Sequence, residues 1–177
     1  MTKIQAYVCS RFADPDPDVR RLNVAISVAI WRWAKREGMD AHSPLRGARW
    51  QDEETPEIRA EKMGVCVARC TSLGAGAGVL LVPAWQTQSP SAGMRAEIQA
   101  FTLANRALVA SLQAQESTAE LTHRPGKYTT TATGGIRLVQ LREIWHHVPG
   151  WVRKELVQFL EPERRFTNRR NERNERN

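Results

Sequence analysis

The chain is poor in cysteine and has no apolar run long enough to cross a membrane. Its 177 residues include 3 cysteines, Cys9, Cys66 and Cys70, an odd number that is too small for a disulfide framework. The most apolar stretch, residues 73–85, is shorter than the roughly 20 residues of a transmembrane helix and is interrupted by Gly and Pro. The opening residues MTKIQAYVCSRF lack an apolar core of signal-peptide length. These absences predict a cytoplasmic protein with reduced thiols and no membrane partner.

Positive charge is unevenly distributed along a chain whose 41% hydrophobic and 25% charged residues are otherwise typical of globular domains. Residues 1–118 carry 14 Lys and Arg against 12 Asp and Glu, whereas residues 119–177 carry 12 against 7. The final segment, EPERRFTNRRNERNERN, contains no aliphatic residue and cannot bury enough apolar surface to offset chain entropy. We therefore expect residues 162–177 to form a basic, disordered tail. A solvated tail is favoured, and a tail that binds nucleic acid is the alternative.

Short runs rich in β-formers alternate with amphipathic helical patterns. This alternation is typical of βαβ units and predicts an α/β fold, a Rossmann- or flavodoxin-like open parallel sheet of about five strands flanked by helices. The continuous apolar run GAGVLLVP is typical of a strand that is buried on both faces of such a sheet. The expected strands cover residues 3–10, 39–43, 76–83 and 107–110, and the expected helices run from Asp18 to Gly38, from Pro56 onward, and from about Gly93 to Asn105.

Composition divides the chain into successive parts. Residues 1–116 are expected to form the α/β domain, and the Thr- and Gly-rich residues 117–135 are expected to form a flexible linker. Residues 136–161 are helical in pattern and are interrupted at Pro149-Gly150, which predicts a helical hairpin extension. The tail at 162–177 follows this hairpin.

Two loops at the expected carboxyl edge of the sheet contain residues suited to an anionic ligand, and parallel sheets bind their ligands at that edge. Ser10 and Arg11 follow the first strand, and Arg offers a planar fork of donors for phosphate. Ser91 and Gly93 follow the buried strand and open a helix, whose N-terminus is a natural anion site. A phosphate or a sugar is therefore the expected ligand class.

A carboxylate and a phenol lie near these loops in the sequence pattern. Glu97 comes one turn after the predicted helix start, and Tyr7 ends the first strand, where its hydroxyl can hydrogen-bond a carboxylate across the sheet end. The alternatives are a surface Glu97 in a capping arrangement, a half-buried Tyr7 and a solvated Arg11, and spacing alone favours them.

Four segments, YVCSRF, AHSPL, DEETPEIRAEKMG and SAGMRAEI, follow one another over residues 3–110. Their order and spacing resemble the nucleoside 2-deoxyribosyltransferase-like superfamily, and in particular its small bacterial and phage branch. The resemblance implies a flavodoxin-like or Rossmann-like sheet and an enzyme that cleaves or exchanges the N-glycosidic bond between a base and (deoxy)ribose, with a glutamate attacking the anomeric carbon. It also implies a homo-oligomer, because family members often complete the site from a neighbouring subunit.

The resemblance implies roles for particular residues. Glu97 matches the catalytic nucleophile, and Tyr7 matches the tyrosine that orients it. The serine at position 91 implies a nucleoside monophosphate as the ligand, in preference to a free nucleoside. The other implied substrate-binding residues either hold the sugar and phosphate or line the base side: Ser10, Arg11, Ser91, Gly93 and Met94 in the first group, and His42, Asp52 and Glu57 in the second.

Other interpretations of the sequence are weaker. The glycines of Gly74–Gly78 precede an apolar run and do not open a helix, which disfavours a dinucleotide loop. Cys66 and Cys70 with His146-His147 lack the tight spacing of zinc ligands, so buried thiols are favoured and neither a metal nor a cofactor is expected. The basic, Trp-containing residues 145–154 suit a packed hairpin, with a single-strand-binding surface as the alternative. The alternative function is a protein on the same fold that binds a nucleotide without catalysis or associates with nucleic acid.

Overall fold

A computed structural model of the protein describes residues 3–48, 55–115 and 134–156. The strands are β1 (Gln5–Val8), β2 (Asp40–His42), β3 (Val79–Pro83) and β4 (Gly135–Val139), and the helices are α1 (Pro17–Arg36), α2 (Pro56–Ala75), α3 (Ala92–Gln115) and α4 (Leu141–Ile144). A 3-10 turn (Trp145–His147) follows α4, and residues 150–156, called the terminal helix below, are again helical. Asp52, most of the predicted linker and the predicted tail lie outside the described residues.

The strands form one parallel sheet in the order β2-β1-β3-β4. This is the order of the first four strands of the flavodoxin-like doubly wound sheet. The chain leaves β1 toward one edge and β3 toward the other, so the topological switch point lies between these two central strands. The predicted α/β class with a parallel, helix-flanked sheet is confirmed, and the described residues contain four strands instead of five.

Side-chain caps and prolines begin the first two helices. Asp16 precedes α1 and its carboxylate accepts a hydrogen bond of 2.8 Å from the backbone N–H of Asp18. The sequence predicted Asp18 as the cap and therefore a helix that starts at residue 19. The helix instead begins two residues earlier, at Pro17, and proline suits the first helical position. Thr55 caps α2 in the same way, with its hydroxyl accepting from the N–H of Ile58 at 3.3 Å. These caps fix where each helix leaves the carboxyl edge of the sheet.

Helices cover both faces of the sheet, and each face has its own apolar core. The face covered by α1, α4 and the terminal helix buries Ile30 and Leu81, together with Val152. The opposite face, covered by α2 and α3, buries Leu80 and Phe101. None of the described helices combines the length and the apolar character that crossing a membrane requires.

Two segments differ from their predicted secondary structure. Residues 107–110, predicted as a last strand, lie inside α3, because this Ala- and Leu-containing segment has high helix propensity and continues the helical ladder. Residues 136–139, predicted as the start of a helical hairpin, belong to β4, which pairs with all of β3. Their apolar spacing suits a helix or a strand. The open edge of β3 decides the outcome, because its unpaired backbone groups need hydrogen-bond partners.

Candidate functional site

A buried pair, Tyr7 and Glu97, lies between the sheet and α3. Tyr7 stands on β1, and the alternation of side chains along the strand points it to the α2–α3 face while Val8 faces α1. Glu97 is in the second turn of α3 and keeps only 5% of its surface exposed. The Tyr7 hydroxyl donates a hydrogen bond of 3.3 Å to Oε1 of Glu97. The structure thus brings together the two residues that the sequence analysis put forward as catalytic.

All three cysteines of the chain lie on the same face as this pair. Cys9 and Cys70 are fully buried and Cys66 is half-buried, and all three pack in or against the α2–α3 core. The thiols of Cys9 and Cys66 lie close enough to Glu97 to lower the pKa of its carboxyl. The sequence analysis predicted buried thiols but missed this arrangement. Its signal was available, because Cys9 is two residues beyond Tyr7 on one strand face and Cys66 and Cys70 are one helical turn apart.

Burial controls the ionisation of both members of the pair. Burial raises the pKa of Glu97 above its ordinary value, and the hydrogen bonds donated by Cys9, Tyr7 and Cys66 partly oppose the rise. Burial, and then the neighbouring charge of Glu97, raises the pKa of Tyr7 far above its usual range. Tyr7 is therefore a protonated donor at any accessible pH, and Glu97 holds its proton more tightly than a surface carboxyl does.

The loops that follow β1 and β3 meet at the switch point. The backbone N–H of Arg11 donates a hydrogen bond of 2.9 Å to Oε1 of Gln86, and the Arg11 guanidinium donates to the carbonyl oxygen of Ser89. Gln86 is 8% exposed and was not singled out from the sequence, where it is one of several polar residues after β3. The Ser10 hydroxyl oxygen and the Arg11 Nε are buried with no hydrogen-bond partner among the described residues. Buried donors without a partner are uncommon in folded proteins, and these two can donate to an acceptor such as water or an anion.

The helix start after the second loop uses its polar groups internally. The Ser91 hydroxyl accepts a hydrogen bond of 3.2 Å from the N–H of Met94, so this serine caps α3. A Cβ at Gly93 would lie 2.6 Å from the terminal methyl of Met63, at the end of a flexible side chain that can shift to make room. Met94 is 1% exposed, and its carbonyl oxygen lies 3.9 Å from the Cys9 sulfur. Met94 thus packs in the core, which differs from its predicted role of contacting the substrate.

The residues predicted to line the base side do not form a group. The His42 ring lies against Tyr7, with ring centroids 5.7 Å apart, and burial followed by the charges of Arg69 and Arg46 lowers its pKa. Glu57 is exposed in the first turn of α2, and hydrogen bonds from the helix start lower its pKa. Asp52 lies outside the described residues. Of the two described residues, His42 has a contact with the Tyr7–Glu97 pair and Glu57 does not.

The part of the chain that the structure describes has no group of three or more His, Cys, Asp or Glu side chains arranged to hold a metal. Cys66 and Cys70 lie on the α2–α3 side, whereas His146 and His147 follow α4 on the other face of the sheet. The sheet therefore separates the two halves of the zinc site that the sequence analysis considered and disfavoured.

No family model, curated protein or solved structure matches this chain. What the site itself provides is a buried carboxyl with a phenol donor on one strand, next to a loop cradle with unsatisfied donors at the switch point. A carboxyl of this kind can stabilise or trap a positively charged carbon centre, and the cradle can hold an anion.

Proposed function

We propose that the protein breaks the N-glycosidic bond of a (deoxy)nucleoside monophosphate, either by hydrolysis or by transfer to a second base. The observation that carries the proposal is the Tyr7–Glu97 hydrogen bond, 3.3 Å long and buried beside the carboxyl edge of a parallel sheet. The family resemblance of residues 3–110 points to the same chemistry. In this proposal Glu97 is the nucleophile and Tyr7 orients it.

The reaction follows from the chemistry of a carboxylate facing an anomeric carbon. The bond from that carbon to the base nitrogen breaks, the base keeps the electron pair and takes up a proton, and a Glu97 oxygen bonds to the carbon. Water then attacks the same carbon and loses a proton while the carboxylate departs with its electron pair. In transfer, a nitrogen of a second base replaces water. In this proposal the proton for the leaving base comes from His42, whose ring contacts Tyr7, from Asp52 or Glu57, or from water.

The cradle supports a phosphate-bearing substrate. Arg11 presents a cation at the switch point, and the orphan Ser10 hydroxyl and Arg11 Nε each have an unused donor. Three phosphate oxygens accept such donors well, and charge-assisted hydrogen bonds of this kind are short and strong. Binding the phosphate there would align the sugar without taking part in the bond cleavage.

Base release measured by chromatography tests the proposal. The full chain is incubated with each deoxynucleoside monophosphate, each nucleoside and each ribonucleotide, and free base is quantified. Glu97→Gln should reduce release by at least about a thousandfold, the scale expected when a nucleophile is lost. Glu61→Gln makes the same chemical change at an exposed position of α2 and should leave release unchanged. A wild-type protein that releases no base from any of these compounds would contradict the proposal.

Ser10→Ala separates phosphate binding from folding. The Ser10 hydroxyl is buried with no partner among the described residues. Its removal should therefore leave the free energy of unfolding unchanged or raise it by up to about 1 kcal/mol. The same substitution should raise KM for monophosphates and leave KM for free nucleosides unchanged. Equal effects on both substrates would show that the hydroxyl does not contact a phosphate.

One observation favours binding without catalysis as the second candidate. Glu97 is only 5% exposed, so its carboxyl group is poorly accessible to a substrate in this conformation. Its pKa is also raised, so it ionises less readily than a surface carboxyl does. The orphan donors at Ser10 and Arg11 suit a ligand whether or not a bond is broken. Calorimetric binding of a monophosphate with no base release, unchanged by Glu97→Gln, would establish this alternative.

Three further expectations stay predictions. The homo-oligomer is checked by light scattering of the purified chain, and the cytoplasmic location by cell fractionation. A nucleic-acid-binding role of residues 162–177, which lie outside the described residues, is checked by deleting them and measuring DNA retention at several salt concentrations.

A further inference from the structure

One side of α1 carries a line of arginines, called the α1 stripe, formed by Arg21, Arg32 and Arg36. Arg21 and Arg32 are eleven positions apart, close to three full helical turns, and Arg36 follows one turn later. At about 1.5 Å per residue the stripe is about 22 Å long. Between Asp18 and Glu37, α1 contains no acidic residue. The stripe therefore has Arg32 and Arg36 at its C-terminal end and Arg21 at the other, with Ala25 and Val28 between them on the same side of the helix.

The C-terminal part of the described chain borders the stripe along its length. At one end, the Arg21 guanidinium lies over the Trp151 ring, 4.3 Å from its centroid, and this tryptophan keeps 39% of its surface exposed. At the other end, burial and then the charges of Arg36, His146 and Arg32 lower the pKa of His147. An aromatic ring and the two histidines His146 and His147 thus lie beside the arginines.

Basic residues near the α1 stripe pair with carboxylates, whereas Arg32 and Arg36 at the C-terminal end of the stripe do not. Lys35 pairs with Asp40 at 2.7 Å, and Arg137 pairs with Glu143 at 2.6 Å. Arg32 and Arg36 are exposed, and neither makes an ion pair or a hydrogen bond with another residue in the described ranges. Arg32 and Arg36 are one helical turn apart and the exposed Glu37 is the next residue in the chain, so the local charge stays positive and suits an anionic partner.

We propose that the α1 stripe and Trp151 form a binding surface for single-stranded nucleic acid. Arg32 and Arg36 each neutralise one phosphate of a strand that runs along α1. The exposed Trp151 ring and the Arg21 guanidinium on it provide flat surfaces on which bases stack. The surface lies across the sheet from Glu97, and the inference does not depend on the proposed function.

Fluorescence anisotropy with labelled oligodeoxythymidylate of roughly 12 nucleotides, within the usual site size, tests the surface in the full chain. Removing two phosphate contacts should lower the slope of log K against log salt by about 1.4 for a single strand. The double variant Arg32→Glu/Arg36→Glu should therefore bind roughly 25-fold more weakly at about 0.1 M salt. Arg36→Glu alone should weaken binding roughly fivefold.

Matched variants distinguish the surface from general charge. Arg106→Glu makes the same change at an exposed position of α3, on the other face of the sheet from α1. It should alter affinity by less than about twofold. Trp151→Ala should weaken binding, and Trp151→Phe should restore part of it, because a phenyl ring still stacks. Thermal melting confirms that each variant is folded.

Two outcomes would overturn the inference. The first is an affinity that Arg32→Glu/Arg36→Glu changes no more than Arg106→Glu does, which would place the binding elsewhere on the chain. The second is equal binding of polyglutamate or of phosphatidylserine vesicles with no effect of Trp151→Ala, which would show a surface for acidic proteins or lipids. Preferred binding of the single strand over a duplex of equal length supports the inference.

Discussion

A tyrosine and a glutamate 90 positions apart form the hydrogen bond on which the proposed chemistry depends. Tyr7→Phe removes this donor. Since hydrogen bonds to a carboxylate favour its charged form, the pKa of Glu97 should rise and the acid limb of the pH–rate profile should move to higher pH. The free energy of unfolding should fall by about 1 kcal/mol. A loss of stability with an unmoved acid limb would assign Tyr7 a packing role only.

The buried carboxyl also makes stability depend on pH. The folded pKa of Glu97 is raised above its ordinary value of 4.5, so its contribution to stability is complete below that pH and is lost as pH rises through the folded pKa. Glu97→Gln does not ionise, so this variant should become progressively more stable than the wild type as pH increases. Urea unfolding from about pH 4 to about pH 8 measures the difference.

Glu61→Gln provides the control for that titration. Its carboxyl is exposed on α2, so the difference from the wild type should be small and should not change with pH. A Glu97→Gln difference that is equally flat would mean that the Glu97 carboxyl reaches water in solution.

At the scale of elements, the packing of α2 on α3 holds the thiols and Glu97 in place. A Cβ at Gly74 would lie 2.5 Å from the backbone oxygen of Phe101, which cannot move without shifting α3. Gly74→Ala should therefore destabilise the protein by about 1–3 kcal/mol in chemical denaturation, the usual range for overpacking. Base release should fall as well, because α3 carries Glu97.

Gly64 on the same helix is the matched control for this substitution. No atom lies within 4 Å of a Cβ built there, so Gly64→Ala should stabilise the protein by about 0.5–1 kcal/mol through helix propensity alone. If both substitutions stabilise the protein, the two helices are less closely packed than the structure shows.

At the scale of the whole molecule, the C-terminal part of the described chain belongs to the α/β core. Ile144 is fully buried against the α1 face, and β4 completes the sheet beside β3. Ile144→Ala should reduce the free energy of unfolding by about 2–5 kcal/mol and keep a single cooperative transition. Leu138→Ala, at a β4 side chain that is 49% exposed, should cost much less. Two separate unfolding transitions would instead show that this part of the chain folds independently of the α/β core.

Local rules predicted most elements. The apolar stripe, the cap and the proline at their starts placed α1 and α2 close to where they lie, and the apolar run before Pro83 identified β3. Residues 107–110 and 136–139 were predicted incorrectly, because short apolar segments satisfy the period of a helix and of a strand.

The sequence by itself determined the alternation of strands and helices, because spacing, caps and prolines act within a few residues of the chain. It also put forward Tyr7, Ser10 and Arg11 near a predicted strand end and Glu97 one turn into a predicted helix. Only the tertiary structure decided that β4 joins β3, that Gln86 binds the Arg11 loop, and that the three thiols lie near the Glu97 carboxyl. Burial, and the pKa shift that burial causes, depend on residues brought together from distant positions, so no local pattern contains them.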